Sequence, residues 1–84
     1  MTKDQVLELV VDNIKLNVDD LEDVEIDPQK SMADYGASSL DIVEIVNTTL
    51  RQLKVKLPRT ELAKLKSIND LVDLLADVLS KTPS

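Results

Sequence analysis

The sequence predicts an all-α fold, a small four-helix bundle with a long loop between helices one and two and a short third helix. Three observations carry that expectation. Apolar residues recur at steps of three and four in three separate stretches. Two of those stretches follow a capping pair, Thr2 with Gln5 and Ser67 with Asp70, which can satisfy the orphan backbone donors of a helix start. The stretch richest in β-branched residues has apolar side chains at 42, 43, 45 and 46, which breaks the two-residue alternation of a half-buried strand.

The elements follow in order. Behind Thr2, the residues Val6, Leu7, Val10, Val11 and Ile14 predict a first helix from Lys3 to Leu16. An acidic connection of roughly 20 residues runs from Asn17 to Ala37, long for so small a domain. Leu21, Val24, Ile26 and Met32 recur in it and are expected to pin it across the helices. A second helix starts at Ser38 or Ser39 and runs to Leu53, with Leu40, Val43, Val46, Leu50 and Leu53 as its repeating apolar positions. Pro58 ends any continuation. A short third helix, Arg59 to Leu65, turns Leu62 and Leu65 inward. Ile68, Leu71, Val72, Leu75, Val78 and Leu79 make a fourth, amphipathic helix. The domain is read as residues 1–80, with 81–84 a frayed tail.

Composition removes whole classes of chemistry. Apolar residues make up 43% of the 84, yet Tyr35 is the one aromatic, so the core is aliphatic. With no Cys there is no disulfide, and with no His there is no Ser-His or Cys-His pair and no His-based zinc site. No catalytic residue and no metal site is expected. The acidic stretch from Asp19 to Asp27 misses the calcium-loop pattern, because counting from Asp23 the required Gly falls on Pro28. A net charge of −6 argues against nucleic acid and suits basic protein partners. No apolar run reaches membrane-span length, so a cytoplasmic monomer with no membrane contact is expected. The charge is uneven: −9 over residues 1–50, +5 over 51–66 and −2 over 67–84.

Gly36-Ala37-Ser38-Ser39-Leu40-Asp41 joins the loop to the second helix. On residue types alone it reads as a helix cap, with a Ser accepting a backbone N–H and Asp41 at the positive end of the dipole. In context it resembles the attachment site of acyl carrier proteins, which commonly reads Gly-x-Asp-Ser-Leu-Asp. The resemblance spans nearly the whole chain. It includes Ala33-Asp34-Tyr35-Gly36, then Ser39 through Val46, the Leu57-Pro58 break, and Ser67 through Leu75.

That resemblance implies a covalent 4'-phosphopantetheine, taken from coenzyme A by a phosphopantetheinyl transferase. The register places it on Ser39, since Leu40 and Asp41 follow. Where the family has Asp before the attachment Ser, this chain has Ser38, which leaves two adjacent hydroxyls. The family also implies partner recognition by Leu40, Asp41 and Glu44, read by acyltransferases, ketosynthases or other pathway enzymes. The run Leu57-Pro58-Arg59-Thr60-Glu61-Leu62, with Leu50, looks more like free-standing carriers of polyketide pathways, including those of β-branching cassettes. A primary fatty-acid carrier and a peptidyl or aminoacyl carrier are the neighbouring readings. A non-covalent acidic helical interaction domain is the reading from another class. In the carrier readings the protein is a substrate of enzymes rather than an enzyme.

Overall fold

Three helices begin on reciprocal caps. Thr2 Oγ1 accepts from the Gln5 N–H at 3.2 Å while Gln5 Oε1 accepts from the Thr2 N–H at 2.9 Å. Ser38 pairs with Asp41 in the same way, and Ser67 with Asp70. Each pair satisfies two backbone donors that a helix start would otherwise leave open. The helices that follow are α1 (Lys3–Asn17), α2 (Ser39–Leu53) and α4 (Ile68–Lys81), with a single turn, α3 (Arg59–Leu62), between the last two. The computed structural model describes residues 2–62 and 64–81, and among these no strand forms.

α1 packs against both α2 and α4. Val6, Val10 and Ile14 of α1, Ile45 and Val46 of α2, and Ile68, Leu71, Val72 and Leu75 of α4 are buried together. The long connection is an ordered brace, as its apolar spacing predicts for Leu21, Ile26 and Met32, which are buried. Its backbone completes the start of α4: the Ile68 N–H donates to the Lys30 carbonyl at 2.9 Å and the Asn69 N–H to the Pro28 carbonyl at 2.8 Å. Tyr35 closes the brace on itself, its hydroxyl accepting from the Asp27 N–H at 2.6 Å.

The structure corrects three expectations. The third helix, described over Arg59–Leu62, ends before Lys64 instead of at Leu65, because Lys64 and Leu65 donate three residues back, to Glu61 and Leu62, in tight turns. α4 runs through Lys81, one residue into the stretch read as tail, and the Lys81 ammonium pairs with Asp77 at 3.0 Å; 82–84 lie outside the described residues. The third correction concerns α2. Val43, read as part of its repeating apolar face, is 53% exposed; Leu40, expected to meet partners, is 79% exposed, in line with that reading. The face toward α1 is instead built on Ile45, Val46 and the polar Thr49. Thr49 is accommodated because Asn13 Nδ2 donates to its hydroxyl at 2.8 Å and that hydroxyl donates to the Ile45 carbonyl at 2.8 Å. Asn13 also donates to Gln52 Oε1 at 2.9 Å, so the buried polar groups are partnered.

Two stability predictions arise here. α2 ends in a Schellman motif, with the Val55 N–H donating to the Leu50 carbonyl and the Lys54 N–H to the Arg51 carbonyl. Lys54 occupies the left-handed position, at φ 58. Lys54→Gly is expected to stabilise the fold by about 0.5–1 kcal/mol in a urea titration, since Gly adopts that conformation without the Cβ clash. A midpoint lower than that of the wild type would contradict this.

Asp70 is held below its ordinary value by the Lys66 backbone N–H and then by that of Ser67. A carboxylate depressed in the fold stabilises it above the unfolded carboxylate range and loses that contribution as pH falls through the folded value. Asp70→Asn is therefore expected to lower the melting temperature at neutral pH. The gap to wild type should close as pH falls below the unfolded carboxylate range, about pH 4. A gap that stays constant with pH would remove Asp70 as its cause.

Candidate functional site

The chain reaches the start of α2 through a fixed sequence of turns. A 3-10 turn over Ala33–Tyr35 ends at Gly36, whose N–H donates to the Ala33 carbonyl at 3.0 Å. Gly36 sits at φ 91; a Cβ there would meet no atom within 4 Å, so the backbone conformation rather than space requires glycine. Ala37 is buried, its N–H donating to the Met32 carbonyl at 3.2 Å, and this anchors the approach.

Ser38 and Ser39 then divide the work. Ser38 is the N-cap, at φ −78 and ψ 172. Its hydroxyl accepts from the Asp41 N–H at 3.2 Å, and its own N–H donates to Asp41 Oδ2 at 3.0 Å. Ser39 is the first residue of α2 and is exposed. Its hydroxyl has no hydrogen-bond partner among the described residues, and so no local base. The amides of Ser39 and Leu40 likewise find no acceptor there, and such open donors at a helix start favour an anionic group.

The other sequence-predicted residues surround this point unequally. Leu40 and Glu44 are exposed on α2. Asp41 is half-exposed, and its carboxylate is engaged in the cap. Val43, one of the repeating apolar positions of the helix, stands exposed one turn from Ser39. Ile42 and Val43 begin an apolar cleft of about 640 Å³ between α2 and the segment from Leu57 to Leu71. Met32, Val46, Leu57, Leu62 and Leu65 continue its walls. The residues thus fit a covalently attached phosphodiester arm: an unengaged exposed hydroxyl, open amides for the anion, and an apolar recess within a helical turn.

Comparison with known proteins agrees with this geometry. Residues 4–75 match the model of the phosphopantetheine attachment site family. The chain is 32% identical over 77 residues to the polyketide biosynthesis acyl-carrier-protein AcpK of Bacillus subtilis (strain 168), covering 92% of this chain and 94% of that one. It is 38% identical over 61 residues to an acyl carrier protein of Campylobacter concisus (strain 13826), covering 66% and 79%. Among solved structures it resembles a chain in the crystal structure of the curacin biosynthetic pathway HMG synthase in complex with acetyl donor-ACP. There the TM-score is 0.84 and the identity 34%, over 92% of this chain and 99% of that one. A match that runs through all four helices and the brace, and not through the serine motif alone, makes this chain a member of the phosphopantetheine attachment site family, an acyl carrier protein.

Proposed function

We propose that Ser39 bears the phosphopantetheine and that the loaded protein serves a polyketide or related secondary-metabolic pathway. The carrying observation is the division between the two serines. Ser38 Oγ is held in the cap, while Ser39 Oγ is exposed and unengaged. The group supplies, when bound, a thiol on which acyl chains are held as thioesters. The protein's own contribution is to present Ser39 on a rigid helix start, to offer the Ser39 and Leu40 amides to the phosphodiester, and to place Leu40 and Val43 where a partner can cover them.

In this reading the chain is a substrate: a phosphopantetheinyl transferase supplies the base that Ser39 lacks, and cytoplasmic coenzyme A supplies the group. The polyketide assignment draws on AcpK and on the curacin-pathway neighbour. An enzyme of the HMG-synthase kind is the partner we propose first, because the structural neighbour is a donor carrier in complex with one. A primary fatty-acid carrier is the second reading; the Campylobacter relative is named as an acyl carrier protein with no polyketide pathway attached.

Intact-mass measurement after incubation with a broad-range phosphopantetheinyl transferase and coenzyme A tests the carrier role. The expected result is gain of one phosphopantetheine. An unchanged mass would favour a non-covalent interaction domain. Acetyl-loaded protein then separates the pathways: transfer to an HMG synthase is expected, and elongation by a fatty-acid ketosynthase alone would move the assignment to primary metabolism.

A further inference from the structure

One face of α2 is open to solvent from end to end. Leu40, Glu44, Asn47 and Arg51 follow at steps of four, three and four, which stacks them in a single stripe. All four are exposed, and Lys54 extends the stripe past the helix end. Charge along it is ordered, with Glu44 toward Ser39 and Arg51 and Lys54 at the far end.

At that far end a groove of about 770 Å³ opens between the last turns of α2 and residues 55–57, which follow it. Leu50, Val55 and Leu57 give it apolar walls, and Arg51, Lys54 and Lys56 line it with charge. Glu44 is the acid in its lining. Among the described residues no carboxylate lies within ion-pair distance of these three cations; the ion pairs involve Lys3, Lys64 and Lys81 instead. Arg51 makes a long 3.5 Å contact with the Thr48 hydroxyl. Lys54 adds a separate observation. It holds a left-handed conformation that glycine would adopt more cheaply, so a cation stands here at a conformational cost.

We propose that this groove docks an acidic segment of a partner protein whose carboxylates are interleaved with apolar side chains. The grip lies twelve residues along α2 from Ser39, about 18 Å at the helical rise. The proposal rests on the reading of Ser39 as the attachment point only for where the partner's active site must open. Unpaired cations attract the carboxylates, and the walls of Leu50, Val55 and Leu57 reward apolar burial between them.

A long polyanion or an anionic membrane does not suit the site. Residues 1–50 carry −9 and would be repelled by an extended negative surface. A second copy placing its acidic half in the groove is the competing occupant, and the oligomeric state in solution separates it from a partner. The ordered stripe also fixes orientation. A partner basic near the entry for the arm and acidic about 18 Å away is attracted, and the same partner reversed is repelled.

The test uses the full unmodified chain, labelled with 15N, and three synthetic peptides: alternating Glu and Leu, alternating Glu and Ser, and alternating Lys and Leu. The expected result is amide shift changes confined to residues 47–57 with the Glu/Leu peptide. Its affinity should exceed that of the Glu/Ser peptide about tenfold and fall with added salt. The Lys/Leu peptide should leave those amides unmoved. Arg51→Glu combined with Lys56→Glu should weaken the Glu/Leu peptide about tenfold or more with an unchanged circular dichroism spectrum.

Shifts that are absent, that fall at the Leu62–Leu71 cleft, or that survive the charge reversals would overturn the proposal. So would equal binding of the Glu/Ser peptide. Self-association in sedimentation velocity that the two reversals abolish would seat a second copy in the groove and overturn it equally. Because these measurements need no arm, a chain that gains no phosphopantetheine yet binds the Glu/Leu peptide would refute the Ser39 reading alone.

Discussion

Ser39→Ala is expected to accept no phosphopantetheine while melting like the wild type, and Ser38→Ala is expected to do the reverse. The sequence offers two adjacent hydroxyls, and the structure gives them different bonds. Removing Ser38 Oγ frees the Asp41 N–H, a cap loss of about 1 kcal/mol with a range of roughly 0.5–2. Removing Ser39 Oγ breaks no hydrogen bond among the described residues, so its cost should stay within about 0.5 kcal/mol. Transfer should invert that order, because only Ser39 has a hydroxyl free to approach coenzyme A. Loss of the cap can slow the transferase by loosening the helix start, so the measurement is the mass distribution at completion rather than a rate. Modification that persists in Ser39→Ala and vanishes in Ser38→Ala would move the attachment point by one residue. Modification lost in both would show that the transferase needs the intact cap.

The contrast between these serines also shows what the sequence could tell. Local signals were legible. Thr2 with Gln5 and Ser67 with Asp70 act within three residues of one another, so their spacing alone located the starts of α1 and α4. The apolar spacing of the brace was legible because Leu21, Ile26 and Met32 have nothing else to do in an acidic loop. The buried face of α2 was not. Residues 42, 43, 45 and 46 are all apolar and allow more than one stripe. Thr49, a polar residue, is buried on the chosen face with its hydroxyl bonded both to the Ile45 carbonyl and to Asn13, 36 positions earlier. A hydrogen bond over that separation leaves no periodic trace, and so Val43 was counted on the repeating apolar face and Ile45 missed. The chosen face leaves Val43 on the surface beside Ser39. The segment around Ser39-Leu40-Asp41 is legible as a helix cap and by resemblance, but which of the two serines caps the helix is not; the structure gives the cap to Ser38. The end of α3 was hidden for another reason: a four-residue helix has too few positions to show a period.

Leu75→Ala is expected to cost the largest stability of any single change, about 2–5 kcal/mol. Leu75 is fully buried, among Val6, Val10 and Ile14 of α1 and Ile45 of α2. The cavity left by three lost carbons sits in the middle of the bundle, where no flexible terminus can collapse into it. A chain of this length has a total stability of about 4–13 kcal/mol, so the loss is a large fraction of the whole. Asn13→Ala should cost less, about 1–3 kcal/mol, because Thr49 keeps its bond to the Ile45 carbonyl and only the Asn13 donations disappear. Val46→Ala falls between neutral and Leu75→Ala, since Val46 also faces the apolar cleft and its loss enlarges a space already open. Urea titrations of the three variants check the order. A Leu75→Ala stability within about 1 kcal/mol of wild type, or a midpoint above that of Asn13→Ala, would mean that Leu75 is not a central core residue. Ser39, the proposed attachment point, is exposed and lies outside this core. Leu75→Ala held below its lowered melting temperature should therefore still take up one phosphopantetheine, which separates loss of the fold from loss of the site.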